Sequence, residues 1–376
     1  MLAVGVLGVV LALTYAVGLP LANLLERHAV HPIAEAVGHL LSGSPGWVRG
    51  LLVDGAIRGG GAVLTLVPML GVLFGAASIF EQTGCLARVT TATQKVTGRL
   101  GVSGALALPL CFGFACNVPA ILSLRSVPTA RDRLAATLLA PLVPCSARLA
   151  VVALLAPMFF PRSAPLVAVA LVSTNLALFA LGGWCVMGRS RSPTRLLHEG
   201  GPPPLHRPDV RKALADLARG LGAFTRSAGP IVLGLSALTG LLGSVPGGGI
   251  ERSLLAQTGK SLEPAARLAG LDDWRLIVAL LSSAVTKETG VAVLGVVYGA
   301  GTDGAGLQEI LTAAVPPASA LAYLAVQMLF IPCVPTLWVM ARETGSWKWS
   351  LASTAVMLVV SLAIGAVAFQ TGRWLW

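Results

Sequence analysis

Seven stretches of this 376-residue chain carry no Asp, Glu, Lys or Arg and are long enough to cross or deeply enter a bilayer: 2–25, 59–80, 100–124, 163–188, 227–250, 310–341 and 349–372. Two more, 134–161 and 276–302, are interrupted only by Arg148 and by the adjacent Lys287 and Glu288. A membrane-spanning helix needs about 20 apolar residues. Hydrocarbon offers no partner to backbone N–H and C=O groups, so such runs are confined to helices unless they are buried in protein or line a cavity. Charged residues make up 11% of the chain and mean hydropathy is +0.80, against about 25% charge in soluble domains. The expected fold class is an all-α integral membrane protein with about nine hydrophobic segments, some of them broken or re-entrant. The first run lacks a basic leading region and exceeds the apolar core of a cleavable signal, about 7–15 residues, so it reads as a span.

The net charge of +11 reads as topology. Eight Lys/Arg lie from Arg189 to Arg226 against Glu199, Asp209 and Asp216, which places this connecting loop in the cytoplasm by the positive-inside rule. No aromatic interleaving accompanies the charge, so nucleic acid is not an expected partner. Trp347, Trp349, Trp374 and Trp376 bracket the last run as interfacial anchors do. All six cysteines (85, 111, 116, 145, 185 and 333) fall in or beside apolar segments. That pattern suits reduced thiols or soft-metal ligands rather than an extracellular disulfide framework.

Lys287 and Glu288 are the least bland residues of the apolar stretches. A charge near the middle of a membrane helix costs at least roughly 2.5–3.5 kcal/mol, so such residues line cavities, meet partners or handle polar cargo. Adjacent residues diverge by about 100° on a helix, so each needs a partner elsewhere, with Arg148 the candidate for Glu288.

The loop around 189–212, with Pro202-Pro203-Pro204, divides the chain into halves that echo each other. Val143-Pro144-Cys145 recurs as Ile331-Pro332-Cys333, and Val67-Pro68 as Gly229-Pro230. Each half also has a broken, glycine-bearing segment: 100–124 with Pro109, Gly113 and Pro119, and 276–302 with the charged pair. Corresponding interrupted segments in two halves point to a transporter's binding site, where unwound backbone and half-helix ends meet the cargo. Gly113 permits unusual backbone angles and the prolines remove N–H donors, which leaves Cys116 and Asn117 at a break. Thiolate sulfur suits soft or borderline cations, with amide oxygen completing the shell; a kinked helix with a packing cysteine is the alternative. Cys145 and Cys333 stand beside proline breaks of their own. Arg148 either favours a nearby thiolate or satisfies broken-helix carbonyls. Glu81, closing the run 59–80, is a gating or ion-entry candidate or an interfacial carboxylate.

Between the first two runs, 26–58 has helical patterning with a polar face. His31, Glu35 and His39 share one helix face and His28 lies a turn earlier. These four form a peripheral metal-site candidate or the polar side of an interfacial helix. No phosphate-binding loop is present, since Gly259-Lys260-Ser261 has Leu254 where the first glycine belongs. No Ser-His-Asp, H-E-x-x-H or C-x-x-C site is present either, so the chain reads as a transporter and not an enzyme.

Several of these strings resemble the membrane core of FeoB, the bacterial ferrous-iron transporter family. Phe80-Glu-Gln-Thr-Gly-Cys-Leu-Ala-Arg88 resembles the family's L-E-D-S-G-Y-x-x-R, and Gly113-Phe-Ala-Cys-Asn-Val-Pro-Ala-Ile121 resembles G-F-G-C-N-V-P-A-I. Arg131-Asp-Arg133, Cys145-Ser-Ala-Arg-Leu149, Thr286-Lys-Glu288, and Pro332-Cys333 with Arg342-Glu-Thr-Gly345 resemble the strings that follow, in order. The resemblance runs from about residue 50 to 372. It implies two gate-type helical repeats, with Cys116 and Cys145 the first candidates for iron contact, then Cys333 and Glu288. Departures occur at Gln82, Cys85, Ala115 and Ala150, and the family's acidic stretch before the second half is reduced to His198-Glu199-Gly-Gly-Pro202. A typical member begins with a cytoplasmic G domain, whereas this sequence opens at the first span. The resemblance therefore implies a separate G protein docked on cytoplasmic loops or a relative without one.

The expected organisation is a first span and amphipathic segment over 1–58, a first gate repeat over 59–188, the basic loop over 189–226, and a second repeat with C-terminal spans over 227–376. The expected function is a multi-pass permease of the bacterial cytoplasmic membrane that imports Fe²⁺ or a similar divalent cation. No tightly bound cofactor is expected. Expected partners are the lipid bilayer, a separate G protein or small regulatory subunit, and a second copy of the chain. A nucleoside carrier with the same fold and a non-transporting scaffold for a G protein are the rival readings.

Overall fold

The computed structural model describes residues 8, 12–41, 43–84, 88, 106–127, 129–187, 209–227, 229–245, 250–299 and 304–375. Cys85, most of the connecting loop and the start of the first run lie outside these residues, as do the side chains of Glu81 and Cys111. Every regular element among the described residues is helical. The leading region winds through α1 (Leu19–Leu25) and α2 (His31–Leu40). A π-wound segment, Gly50–Ile57, then runs directly into α3 (Arg58–Gln82), which contains Pro68.

Two short helices follow, α4 (Ala107–Gly113) and α5 (Asn117–Ser123), then α6 (Ala130–Leu139), α7 (Ser146–Phe159) and α8 (Ala164–Met187). The second half of the expected basic loop is itself a helix, α9 (Val210–Ser227), leading into α10 (Gly229–Ser244) and α11 (Leu254–Ala266). A second short pair, α12 (Trp274–Ser282) and α13 (Thr289–Val297), precedes α14 (Gly304–Ala314), α15 (Pro317–Leu329), α16 (Val334–Thr344) and α17 (Trp347–Leu375). The order long helix, short pair, broken helix, long helix therefore occurs twice, as the sequence echo predicts.

Among the described residues, six helical stretches are long and apolar enough to cross a membrane. The shortfall from nine has a physical reason. At 1.5 Å per residue, the seven-residue helices α4 and α5 reach about 10 Å, and the nine-residue helices α12 and α13 about 14 Å, against a hydrocarbon core of about 30 Å. Within the runs 100–124 and 276–302, the pairs α4–α5 and α12–α13 are thus helical hairpins that turn back inside the protein. The run 310–341 is divided among α14, α15 and α16 by Pro316 and by the Phe330–Cys333 break.

The frame around the hairpins is built from close backbone approaches. The α9–α10 pair runs antiparallel to α3 and the π-wound segment, from the Asp209 N–H that donates to Gln82 Oε1 (3.0 Å) to Ser244 beside Gly50. A Cβ added at Gly55 would fall 2.5 Å from Ala237 Cα, and those at Gly59 and Gly240 would strike Ser236 and the Gly50 carbonyl. Small residues permit this approach where helices meet without a hydrophobic driving force. The core helix is α15, with Ser319, Ala320 and Ala322 through Leu329 all buried. Replacing Gly55 by valine overpacks the seam, which costs about 1–3 kcal/mol. The detergent-solubilised variant is expected to unfold at lower temperature, whereas Gly234→Ala, with open space around its Cβ, keeps the parent transition.

Candidate functional site

The residues singled out in the sequence meet where the two hairpins and the two broken helices face each other. Cys116 is the N-cap of α5, Cys145 of α7, Glu288 of α13 and Cys333 of α16. The proline-bearing strings place them there. Pro141 and Pro144 end the helix before Cys145, and Pro332 does the same before Cys333, so the next helix must restart at the following residue.

The two hairpin tips are tied to the two breaks in the same way. The N–H of Ser146, first residue of α7, donates to Ala115 O (3.3 Å), reinforced by Ser146 Oγ at 2.8 Å. The N–H of Val334, first residue of α16, donates to Ala284 O (3.0 Å). Each break thus docks on the tip of its own hairpin, and the halves are equivalent at the level of single hydrogen bonds.

Charge is handled by carbonyls. Arg148, 1% exposed, donates from Nη1 to Pro141 O (2.7 Å) and from Nη2 to Phe330 O (2.6 Å), which are unwound carbonyls of the two different halves. Lys287, 4% exposed, donates from Nζ to Ile331 O (2.7 Å) and lies 5.5 Å from the Phe330 ring centroid. Arg148 therefore satisfies broken-helix carbonyls and is not the partner of Glu288. Glu288, at the second tip, is exposed. Gly113 also differs from expectation. It ends α4 without a positive φ, and a Cβ there would approach Val143 Cβ at 3.0 Å. Its lack of a side chain admits the first break, and the backbone angle is ordinary.

Cys116 lies within electrostatic range of Cys145, Cys333 and Glu288, and Arg148 within range of Cys145 and Cys333. Cys333 Sγ sits 3.0 Å from Thr336 Oγ1. Buried acceptors without a partner stand at both tips, Asn117 Oδ1 at the first and Thr286 Oγ1 at the second. Thr286 was not singled out in the sequence; its place beside Lys287 in the Thr-Lys-Glu string was the available signal. Among the described residues no three His, Cys, Asp or Glu side chains stand close enough to hold one metal ion in this conformation. The peripheral group is spread along its helices: His31 Nε2 lies 4.0 Å from Glu26 Oε1, and His28 Nδ1 lies 3.1 Å from Leu24 O.

Two cavities approach this centre. One of about 840 Å³ opens at the Gln82–Asp209 end, between α3, α5, α9 and α16, where Arg125, Lys212, Arg219 and Arg342 outnumber Asp216 and Glu343. Arg125 and Glu343 form an ion pair between the halves at its wall. The other, about 260 Å³, lies at the Ser244 end against α10, α12 and α13. The first hairpin therefore opens toward one end of the molecule and the second toward the other.

Oppositely inserted hairpins, each docked on a broken helix within a multi-pass α-helical bundle, define a membrane protein built from two gate-type repeats. The chain belongs to the Gate family: the family model described as Gate, nucleoside recognition, matches residues 63–159 and 225–347, one stretch in each half. It is 29% identical over 363 residues to the Fe(2+) transporter FeoB of Staphylococcus aureus (strain COL), covering 95% of this chain and 54% of that one. It is 30% identical over 374 residues to the Fe(2+) transporter FeoB of Methanocaldococcus jannaschii, covering 96% and 55%. An Fe(2+) transport protein A/FeoB fusion of Porphyromonas gingivalis is 28% identical over 383 residues, covering 87% and 45%. The chain spans about half the length of these curated relatives. No solved structure matches it.

Removing the Arg148 guanidinium orphans two buried carbonyls, at about 1–3 kcal/mol each. Arg148→Met is therefore expected to lower the thermal transition of the purified protein more than Lys287→Met, which orphans one. Equal shifts would deny the bridge between halves its special weight.

Proposed function

We propose that this chain is a permease for ferrous iron or a similar divalent transition-metal cation, with a path that crosses between the two hairpin tips. The observation that carries the reading is the convergence of Cys116, Cys145, Cys333 and Glu288 at four helix restarts at the meeting point of the two halves. Helix N-termini carry positive partial charge, so a cation gains nothing from the helix ends themselves. Anionic side chains must supply the attraction, and sulfur suits a borderline or soft cation. Asn117 Oδ1 and Thr286 Oγ1 add neutral oxygens. A set of ligands too dispersed to close on one ion fits transit better than storage. Gly113 and Arg148 shape the path, Lys287 holds the second break, and Glu81 stands in the last turn of α3 at the cation-rich mouth.

The similarity to Fe(2+) transporters supports the cargo, and the fusion protein supports a small partner protein. By the positive-inside rule, the basic connecting loop favours a cytoplasmic side for the cation-rich cavity. Transport with no chemical conversion of the cargo makes the chain a carrier and not an enzyme. A separate G protein docked on the cytoplasmic loops and a second copy of the chain are its proposed protein partners. The family's description favours a nucleoside as the second reading, since the 840 Å³ cavity is large enough and includes Phe74, Phe224 and Trp338 in its wall.

Anaerobic uptake of Fe²⁺ into proteoliposomes containing only this chain tests the proposal, with a radiolabelled nucleoside in a parallel arm. Cys116→Ser and Cys145→Ser are each expected to cut Fe²⁺ uptake at least tenfold at unchanged protein content. Nucleoside uptake with no Fe²⁺ uptake would establish the rival cargo, and neither would favour a non-transporting scaffold.

Glu288→Gln is expected to reduce uptake strongly, whereas Glu309→Gln, on the exposed side of α14, leaves it unchanged. Thiolate ligands release their protons on binding metal, so uptake at fixed free Fe²⁺ is expected to fall on acidification. An uptake rate independent of pH would argue against thiolate coordination.

A further inference from the structure

We propose that the 840 Å³ cavity at the Gln82–Asp209 end binds a phosphate-bearing anion, with its phosphate held at a cationic rim and its apolar part laid on the cavity floor. This ligand is separate from the cargo of the central site, and its binding does not depend on what that cargo is.

Both acids of the cavity are already engaged. Asp216 accepts from Ser78 Oγ at Oδ2 (3.0 Å) and from Arg219 Nη2 at Oδ1. Glu343 accepts from Arg125 Nε at both oxygens (3.1 and 3.0 Å) and from Arg125 Nη2 at Oε1. Each ion pair uses only part of a guanidinium's donors, so Nη1 of Arg125 and Nη1 of Arg219 keep theirs. Lys212 and Arg342 add two further cations, and among the described residues neither has a carboxylate within ion-pair reach. Four cations against two acids leave a net charge of +2, and the hydrogen-bonding capacity left over at the rim is mainly donor. These donors come from three elements: the turn after α5, then α9, then α16. A planar carboxylate matches one such fork, whereas the several oxygens of a phosphate meet donors from different directions, and Arg and Lys are its usual partners.

The floor has a different chemistry. Phe74, Val118, Phe224 and Val339 line the cavity and pack in one apolar cluster. Val118 and Phe224 are buried, whereas all four cations are exposed, so charge lies at the mouth and apolar surface within. Cys116 packs against the same cluster, which makes the floor the layer between this cavity and the first cysteine of the central site. Basic pockets between membrane helices on the cytoplasmic side bind anionic lipid headgroups, and 840 Å³ falls in the range of pockets that enclose a small organic ligand. An anionic phospholipid and free phosphate both supply the phosphate, and the apolar floor favours the phospholipid. On the permease reading, the bound anion also offsets the positive charge that a cation meets on this side of the centre.

For the test, the full chain is reconstituted in nanodiscs of phosphatidylcholine with a minor fraction of phosphatidylglycerol, then released into detergent, and its bound lipid is read by native mass spectrometry. Inorganic phosphate is titrated into the detergent-solubilised chain in a parallel calorimetric arm. Phosphatidylglycerol is expected to stay bound in preference to phosphatidylcholine, and Lys212→Gln/Arg342→Gln to lower its retention roughly tenfold. Lys212→Gln alone, at an exposed position, is expected to lower it about threefold, which guards against a misfolded double variant. Arg211→Gln/Arg226→Gln removes the same charge from α9 outside the cavity lining and is expected to retain lipid as the parent does. Saturable phosphate binding that Lys212→Gln/Arg342→Gln abolishes, with no preference among the lipids, upholds the site and identifies free phosphate as its ligand. Retention unchanged in Lys212→Gln/Arg342→Gln, equal losses in the two double variants, or neither ligand bound would overturn the site. None of these readouts involves Fe²⁺, so the permease reading stands or falls separately.

Discussion

One guanidinium holds the two halves in register. A helix broken at membrane depth exposes carbonyls to a medium that cannot solvate them, and each unmet group costs several kcal/mol. Arg148 meets one such carbonyl from each half, Pro141 O and Phe330 O, with a planar fork whose donors diverge at fixed geometry. Its position a turn into α7 is what lets it reach both. The breaks can therefore stay open at the centre of the molecule, and everything gathered there depends on their staying open: the helix restarts, the cysteines at their caps and the docking of the hairpin tips. Lys287 repeats the device within the second half alone, so the symmetry of the fold is not carried through to its charges.

That asymmetry shapes the electrostatics of the centre. Two buried cations sit among three thiols and one carboxylate, and the cations are already engaged by backbone oxygen. The free carboxylate is the group whose neighbour in sequence is most deeply committed. Lys287 and Glu288 diverge as adjacent residues must, one turned into the protein to close a break and the other left at the tip. An expensive pair in the sequence is thus two separate solutions to two separate needs.

The breaks were legible because proline and glycine act locally. Pro141, Pro144 and Pro332 end helices whatever surrounds them, and the recurrence of Pro-Cys announced the duplication. The sequence pattern also showed that 100–124 and 276–302 are irregular. It could not show that they fold back as hairpins from opposite ends, because a hairpin tip and a kinked span share the same apolar composition. Partnership was the least legible property. Arg148 and Glu288 looked like a natural ion pair, but carbonyls freed by the breaks are nearer and more numerous than carboxylates, and no pattern in a linear sequence reveals them. At Gly113 the sequence suggests backbone freedom, whereas the structural need is space beside Val143. Thr286 carries no signal of its own in the sequence, because an isolated hydroxyl in an apolar run is ordinary; only its missing hydrogen bond sets it apart.

The glycine seam between the π-wound segment with α3 on one side and α10 on the other has a mechanical meaning. Where no Cβ can be accommodated at Gly55, Gly59 or Gly240, neither can a sliding step, since any shift along the seam would drive backbone into backbone. This part of the molecule behaves as a door frame. The hairpins, each entering from its own side, are packed into it as core, with Leu276, Ile277, Ala279 and Leu280 of α12 and Phe112, Ala115 and Ala120 at the first hairpin all buried.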